Sequence, residues 1–409
     1  MNGPLLQRPE RHEPEETPGR KECSAGECWP RQPRYRSLDL WRGVACLFVV
    51  VCHATKVHRE TIDDLGTTGS ASGVLSWLLE ITRRMEIGVP LFFVISGYCI
   101  AATADSTRRR SQTVGSYFVR RFRRIYPPLW ICTLCLIAIH FGIDFVLFPG
   151  SLSSEPWPQF RPWWFSGQQW LGNLTLTETW LHYLVGGQRL HFPSQAWTLC
   201  YEEQFYAVTG LLLFLASRHF FQAATIFTGL TIALMLSCAW VELPVLGFFF
   251  DGSWLTFAAG VLVYYQINYA GPKQKLMLLG VLLLATGWSF AEPDRIPGGQ
   301  PAFCFAMLIL ALHRWDRQLA TTPVLRPLMY CGTLCYSLYL VHVEPVKAIS
   351  YGLHRFGLRD ELSTLLIVVP VCVAVSVGLA WFFHWAVESR FLNEARQDVR
   401  WQPKNGERV

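Results

Sequence analysis

Charge is what this 409-residue sequence has least of. Asp, Glu, Lys and Arg make up 16%, against about 25% in a typical soluble protein. With 51% hydrophobic residues beside it, that scarcity excludes a disordered chain and a charged coiled coil. The 13 cysteines follow no framework, so a small disulfide scaffold is excluded. Cys46, Cys52, Cys99, Cys132, Cys135 and Cys372 lie inside apolar runs, where Cys serves as a small hydrophobe. Cys132 and Cys135 form one CxxC without a second pair, and no metal site is expected. A Gly-rich phosphate loop of Rossmann or Walker type is absent, as are internal repeats and the period-two alternation of β-barrel strands. The net charge of +6 is spread beside apolar segments and builds no basic domain, so nucleic acid is not an expected partner.

What is present is apolar length. Stretches near the roughly 17–25 residues that cross a bilayer recur at 38–58, 87–105, 127–148, 202–217, 220–241, 247–268, 275–291, 298–313, 330–352 and 363–386. They predict an all-α, polytopic transmembrane helix bundle of about ten spans. The 17 Trp and 27 Phe agree, because aromatics gather at membrane interfaces. Residues 1–36 are polar, lack the apolar core of a secretory signal, and read as a disordered cytoplasmic tail. Residues 37–389 read as the membrane domain and 390–409 as a cytoplasmic C-terminal tail. Arg108, Arg109, Arg110, Arg120, Arg121, Arg123 and Arg124 crowd one connection, against only Arg161 and Arg189 in 149–200. The positive-inside rule then places both termini in the cytoplasm.

The first span carries Asp39, Arg42 and His53. An ionisable group in hydrocarbon is costly unless paired, and so marks a functional site by default. Arg42 and His53 are eleven positions apart, which on an α-helix leaves them about 20° apart in azimuth and about 16 Å apart in rise. One face therefore offers a forked cation suited to phosphates and an imidazole suited to proton abstraction. The other reading makes Asp39 and Arg42 an interfacial i, i+3 pair and His53 a hydrogen-bonding partner of a neighbouring helix.

At these residues the chain resembles the membrane acyltransferase-3 family of bacterial O-acyltransferases. The likeness runs through SLDLWRGVACLFVVVCHA (37–54), GVPLFFVISGYCI (88–100), YFVRRFRRIYPPLW (117–130), WTLCYEEQFY (197–206) and YSLYLVHVEPV (336–346), in the family's order. It departs at Pro90, at Cys200 and Tyr201, and at the closing VESRF. The resemblance implies transfer of an acyl group, usually acetyl, from acyl-CoA to a hydroxyl of a carbohydrate, glycolipid or small hydroxylated acceptor. Acyl-CoA, with acetyl-CoA the expected form, is then a co-substrate, with no bound cofactor, and the location is the bacterial cytoplasmic (inner) membrane. It also makes His53 a catalytic base and Arg42 a donor-binding residue.

Other groups acquire roles on the same footing. Of Glu202 and Glu203, the latter is preferred as the carboxylate that orients His53; a helix N-terminus favouring glutamate is the structural alternative. Arg121 and Arg124, one turn apart beside Arg120, either clamp the head of coenzyme A or simply anchor the cytoplasmic face. Tyr336, Tyr339 and His342 share one face; Tyr339 and His342, with Glu202, are candidates for an acceptor pocket, and interhelical hydrogen bonds are the alternative. Ser96, Gly97 and Tyr98 suit close helix packing, with pocket lining the alternative. Trp157, Trp163, Trp164, Trp170, Trp180 and Trp197 form either an interfacial belt or a platform for sugar rings. His140, Asp144, Asp251 and His384 receive no role. A lipid-linked sugar transporter, or a non-catalytic membrane sensor or scaffold, would also carry intramembrane charges.

Overall fold

The computed structural model describes residues 35–64, 73–150, 161–243 and 245–392. Among them every regular element is helical. The helices are α1 (Leu38–Asp64), α2 (Val74–Arg83), α3 (Gly88–Arg109), α4 (Val114–Phe141), α5 (Gly167–Leu174), α6 (Glu178–Val185), α7 (Trp197–Ala216), α8 (Phe220–Trp240), α9 (Ser253–Asn268), α10 (Pro272–Ala291), α11 (Gly299–Leu312), α12 (Asp316–Thr321), α13 (Arg326–Thr333), α14 (Cys335–Val341), α15 (Val343–Arg355), α16 (Glu361–Ser363) and α17 (Val369–Ala386). Each of the ten apolar segments is covered by one or more of them. Among the described residues six helical stretches are long and apolar enough to cross a membrane, or seven if the bent pair at 323–341 is one span. One of the six, Ser194–Trp240, holds both α7 and α8; it breaks at Ala216 (φ −142°, ψ 44°), and the two helices pack on each other.

The segments that fall short do so for a physical reason. At 1.5 Å per residue the 16 residues of α9 and the 14 of α11 reach only about 24 and 21 Å, below the ~30 Å hydrocarbon thickness. Both are core helices: Trp254, Phe257 and Val263 of α9 and Ala302, Ala306 and Ile309 of α11 are almost fully enclosed. The outer surface is the apolar one. Phe214, Trp240 and Leu284 are 73%, 89% and 77% exposed, as befits helices that face lipid. The proposed tails lie outside the described residues, apart from their inner ends. Tyr35 is itself buried in the bundle, and its hydroxyl donates to Ile309 O at 3.0 Å. The next amides, of Arg36 and Ser37, both donate to the Asp316 carboxylate at 2.8 Å.

Local breaks have local causes. Pro345 has no N–H to offer Val341 O, and the helix is interrupted at His342, between α14 and α15. A second break, at Leu334, bends α13 from α14 by 59°. Two crossings set the frame. A Cβ on Gly97 of α3 would lie 2.0 Å from Phe257 O, and one on Gly260 of α9 would lie 1.9 Å from Val94 O. Likewise a Cβ on Gly43 of α1 would meet Leu328 O at 1.9 Å, and one on Gly332 of α13 would meet Asp39 O at 1.7 Å. Only glycine permits these backbone approaches. Gly97 therefore serves packing, as its setting between Ser96 and Tyr98 suggested.

Gly97→Ala and Gly260→Ala should each lower the thermal midpoint of the detergent-solubilised protein, at a cost of about 1–3 kcal/mol or more from overpacking. Gly280→Ala on α10, where a Cβ meets nothing within 4 Å, should leave the midpoint unchanged or raise it. Equal midpoints for all three would contradict a tight α3–α9 crossing.

Candidate active site

The α1–α13 crossing places Arg42 beside the glycine that makes the contact. Its guanidinium donates to Asp39 Oδ1 at 2.5 Å and to Cys99 Sγ of α3 at 2.8 Å. The side chain is only 13% exposed, against 42% for Asp39, so the cation is the member of the pair that faces inward. The i, i+3 pairing read from the sequence is present. The Cys99 contact between helices was not legible there.

Farther along the same helix, His53 meets His342. The two rings are 5.2 Å apart between centroids and inclined at 56°. His342 is buried, and its Nδ1 lies 3.0 Å from Leu338 O and 2.9 Å from Tyr339 O. Carbonyl oxygens accept only, so the hydrogen-bond network assigns the proton to Nδ1 and leaves a lone pair on Nε2. Among the described residues Nε2 has no hydrogen-bond partner. Two residues on from His342, Glu344 Oε2 lies 3.4 Å from His140 Nε2. Four ionisable side chains from α1, α4 and the α14–α15 break thus gather near one another.

The glutamates are placed elsewhere. Glu202 accepts from Ser96 Oγ of α3 at 2.5 Å and from the Tyr206 hydroxyl. Glu203 lines a cleft of about 290 Å³ with Arg121, Tyr126 and Trp130, and no hydrogen bond joins it to His53. The residue brought against His53 is thus His342. Arg121 is buried; it donates to Thr103 Oγ1 at 2.8 Å, and its guanidinium lies 4.9 Å from the centroid of the Tyr206 ring. Arg124 is half-buried. Arg120 turns to Ser116 and Thr107 instead. Cations of α4 and carboxylates of α7 therefore share one polar interior with hydroxyls of α3 and with tyrosines.

The tyrosines of the broken span hold the scaffold together. Tyr336 donates to Ile125 O at 2.7 Å. Tyr339 donates to Gln195 O and accepts from Thr198 Oγ1 at 2.9 Å. These are the interhelical bonds given above as the alternative to acceptor binding. The tryptophans divide among separate settings: Trp164 lies under Arg161 and Trp180 stacks on Phe248. Trp157 falls outside the described residues. Two groups left without a role have partners. Asp251 accepts from Tyr201 at 2.5 Å and from two neighbours in its own turn. His384 reaches Glu388 at 2.9 Å, and Glu388 accepts from Ser337 at 2.5 Å. The i, i+4 spacing of His384 and Glu388 was the available signal for that pair.

Long apolar helices closed around a paired cation, facing imidazoles and tyrosine-held carboxylates define a helical membrane protein with a polar interior. The comparison with known proteins says which kind. Residues 35–385 match the family model Acyl_transf_3, described as an acyltransferase domain, and the chain belongs to that family. It is similar to acyltransferase MdmB of Streptomyces mycarofaciens, with 29% identity over 177 residues. That similarity covers 43% of this chain and spans 38% of the relative's length. No solved structure matches.

Tyr206→Phe removes one of the two hydroxyls that bond Glu202, and should lower stability by about 1.5–3 kcal/mol, the range for a hydrogen bond to a charged group. Ser96→Ala should act in the same direction, and the two together should cost more than either alone. Thermal unfolding in detergent measures this; unchanged midpoints would mean that other groups hold Glu202.

Proposed function

We propose that the protein is an integral-membrane O-acyltransferase, moving an acyl group, with acetyl the expected one, from acyl-CoA to a hydroxyl of a carbohydrate-type acceptor. The proposal sets it in the bacterial cytoplasmic membrane, with about ten spans, both termini cytoplasmic and the donor entering from that side. The observation that carries the reading is the His53–His342 pair, with His53 on the same face of α1 as Arg42 but about 16 Å away in rise. His342 carries an acceptor nitrogen, and the His53 ring beside it can donate. A hydrogen bond from one His53 nitrogen to His342 Nε2 leaves the other His53 nitrogen with its lone pair free for a hydroxyl.

The step is then general base catalysis. His53 takes the hydroxyl proton as the oxygen attacks the thioester carbonyl. The tetrahedral intermediate expels the coenzyme A thiolate, which takes up the proton from His53. Coenzyme A is long, with phosphates at one end and the thioester at the other. Arg42, Arg121 and Arg124 serve the phosphate end, where forked, permanently charged donors match phosphate oxygens. In this scheme His342 has the orienting role that the sequence suggested for Glu203, and Glu202 and Glu203 counter the buried arginines.

His53→Ala should remove acyl transfer by about 10²–10⁴-fold, the usual worth of a positioned base, with expression and detergent stability nearly intact. His342→Ala should also lower turnover. The double variant should be no worse than His53→Ala alone, since residues acting as a unit are non-additive. Turnover of an acetyl-CoA donor by purified protein reads this out. Activity of His53→Ala within twofold of the parent would eliminate the base, and fully additive losses would separate the two histidines.

Arg42→Ala should chiefly weaken donor binding, by about ten- to a hundredfold, as for loss of a charged hydrogen bond of roughly 1.5–3 kcal/mol. Arg42→Lys should recover part of this, because it keeps the charge and loses the fork. Titrating a non-hydrolysable acyl-CoA analogue decides: unchanged affinity in a folded Arg42→Ala protein removes Arg42 from the donor site. Equal damage by Asp39→Ala, acting through stability, would make the pair a helix fastening only.

A further inference from the structure

A second cleft, of about 370 Å³, is lined by residues that the acyl-transfer scheme does not use. Its size falls in the ~300–1,000 Å³ range of small-molecule sites. Arg189, His191, Ser194 and Trp197 line it. Arg189 is exposed, and its guanidinium forms no ion pair with any described residue. The carboxylates near it are engaged elsewhere: Glu178 accepts from the Leu190 amide at 3.0 Å, and Asp251 from Tyr201. Among the described residues no Asp or Glu lines the cleft. His191 Nδ1 is buried and, among the described residues, has no hydrogen-bond partner. Burial, with Arg189 second, pushes the His191 imidazole down to about 3, so the ring serves the cleft as a neutral polar group. Trp197 is 40% exposed, a flat apolar face against which a ring can lie.

The cleft is fastened to the catalytic pair. Ser194 and Trp197 flank Gln195, whose Nε2 donates to Leu340 O at 2.6 Å and whose carbonyl accepts from Tyr339. Thr198 donates to the same tyrosine. Two residues beyond Leu340 is His342, against His53. One wall of the cleft is thus bonded to the helix end that carries the second imidazole.

We propose that this cleft binds the acceptor through an anionic group, a carboxylate or phosphate borne on a sugar ring, with Arg189 as the anion ligand and Trp197 as the ring platform. The proposal rests on the acyl-transfer reading for the word acceptor. An unpaired guanidinium in a cleft without carboxylates selects anions, and its fork matches either oxyanion. The neighbouring tryptophan selects for a ring over a bare ion. Neutral glycans lack a partner for the cation and are disfavoured.

The test is binding without donor, by isothermal titration of the full-length protein in neutral detergent. The probes are methyl β-glucuronoside, glucose 1-phosphate, neutral methyl β-glucoside and glycerol 1-phosphate, the last standing for a lipid headgroup. At least one anionic sugar should bind roughly tenfold or more tighter than the neutral one, a charged hydrogen bond's worth. Which one does so separates carboxylate from phosphate. Arg189→Gln should abolish the difference, and Trp197→Leu should weaken the sugars while leaving glycerol 1-phosphate unaffected. Equal affinity for charged and neutral sugars, or an unchanged preference in Arg189→Gln, overturns the proposal. So does glycerol 1-phosphate binding as tightly as the anionic sugars, which would mark a headgroup site. His53→Ala should bind the probes like the parent. A protein that binds them yet transfers no acyl group would refute the enzymatic reading alone, and one that transfers acyl groups without the anionic preference would refute only this one.

Discussion

Backbone contact at two glycine crossings is the constraint on which the rest of the bundle depends. Within a bilayer, helices gain little by hiding apolar surface from one another, since lipid is equally apolar; close packing and polar pairing must hold them together. Gly97 and Gly260 bring α3 and α9 into mutual contact, and Gly43 and Gly332 do the same for α1 and α13. The second crossing has chemical consequences. Gly43 follows Arg42, and Gly332 sits against the carbonyl of Asp39, so the ion pair lies at the point of closest approach. From there α13 runs to the bend at Leu334, and the short α14 carries the chain to His342. The separation that puts two imidazoles in contact is thus set a few turns away by residues with no side chain.

The polar interior obeys a second rule, that each buried charge is answered by a nearby group. Asp105 is fully enclosed and takes Arg108 at 2.6 Å, Arg109 at 3.0 Å, and the hydroxyls of Tyr264 and Tyr269. This cluster ties the end of α3 to the end of α9. Glu388 similarly ties the end of α17 to Ser337 of α14. Such fully bonded groups are structural, because a satisfied carboxylate has little left for a substrate. The partly bonded groups stand out against them: the open acceptor nitrogen of His342, and Arg189 in its cleft.

The sequence revealed the helices more readily than their meetings. Apolar length and the eleven-residue spacing of Arg42 and His53 are local properties, and each of the ten segments is helical. The short reach of α11 was also countable, but α9 begins only at Ser253, six residues into its apolar segment, and that both are wrapped by other helices had no local sign. Contacts between helices have no signature in spacing. Glu203 looked suited to orient His53 because both belong to resembling stretches, yet α7 carries it into a different cleft. Tyr339 and His342 looked alike as polar residues on one face. They part company in their partners: the Tyr339 hydroxyl bonds Gln195 and Thr198, whereas His342 turns its Nδ1 to the Leu338 and Tyr339 carbonyls. The place of Tyr35 in the core was hidden by the polar stretch before it, since a single aromatic cannot mark a boundary.

These contacts also bear on how the chemistry is divided along the molecule. In the proposed reaction, a thioester donor with its charges at one end requires a cation and a base separated along a path, and the face of α1 that carries Arg42 and His53 would supply it. The acceptor must reach the base from another direction, or it would compete with the pantetheine arm for the same face. The bonds from Gln195 to Leu340 and from Tyr339 to Gln195 provide a rigid connection between a laterally placed cleft and the His342 end of α14. On the proposed reading, donor selection rests on α1 and α4, and acceptor selection on the 189–198 segment. The two specificities are carried by different elements and meet only at the paired imidazoles. A segment such as 189–198 can therefore vary to suit another acceptor without disturbing either glycine crossing, whereas a change at Gly43 or Gly332 would shift donor site and base together.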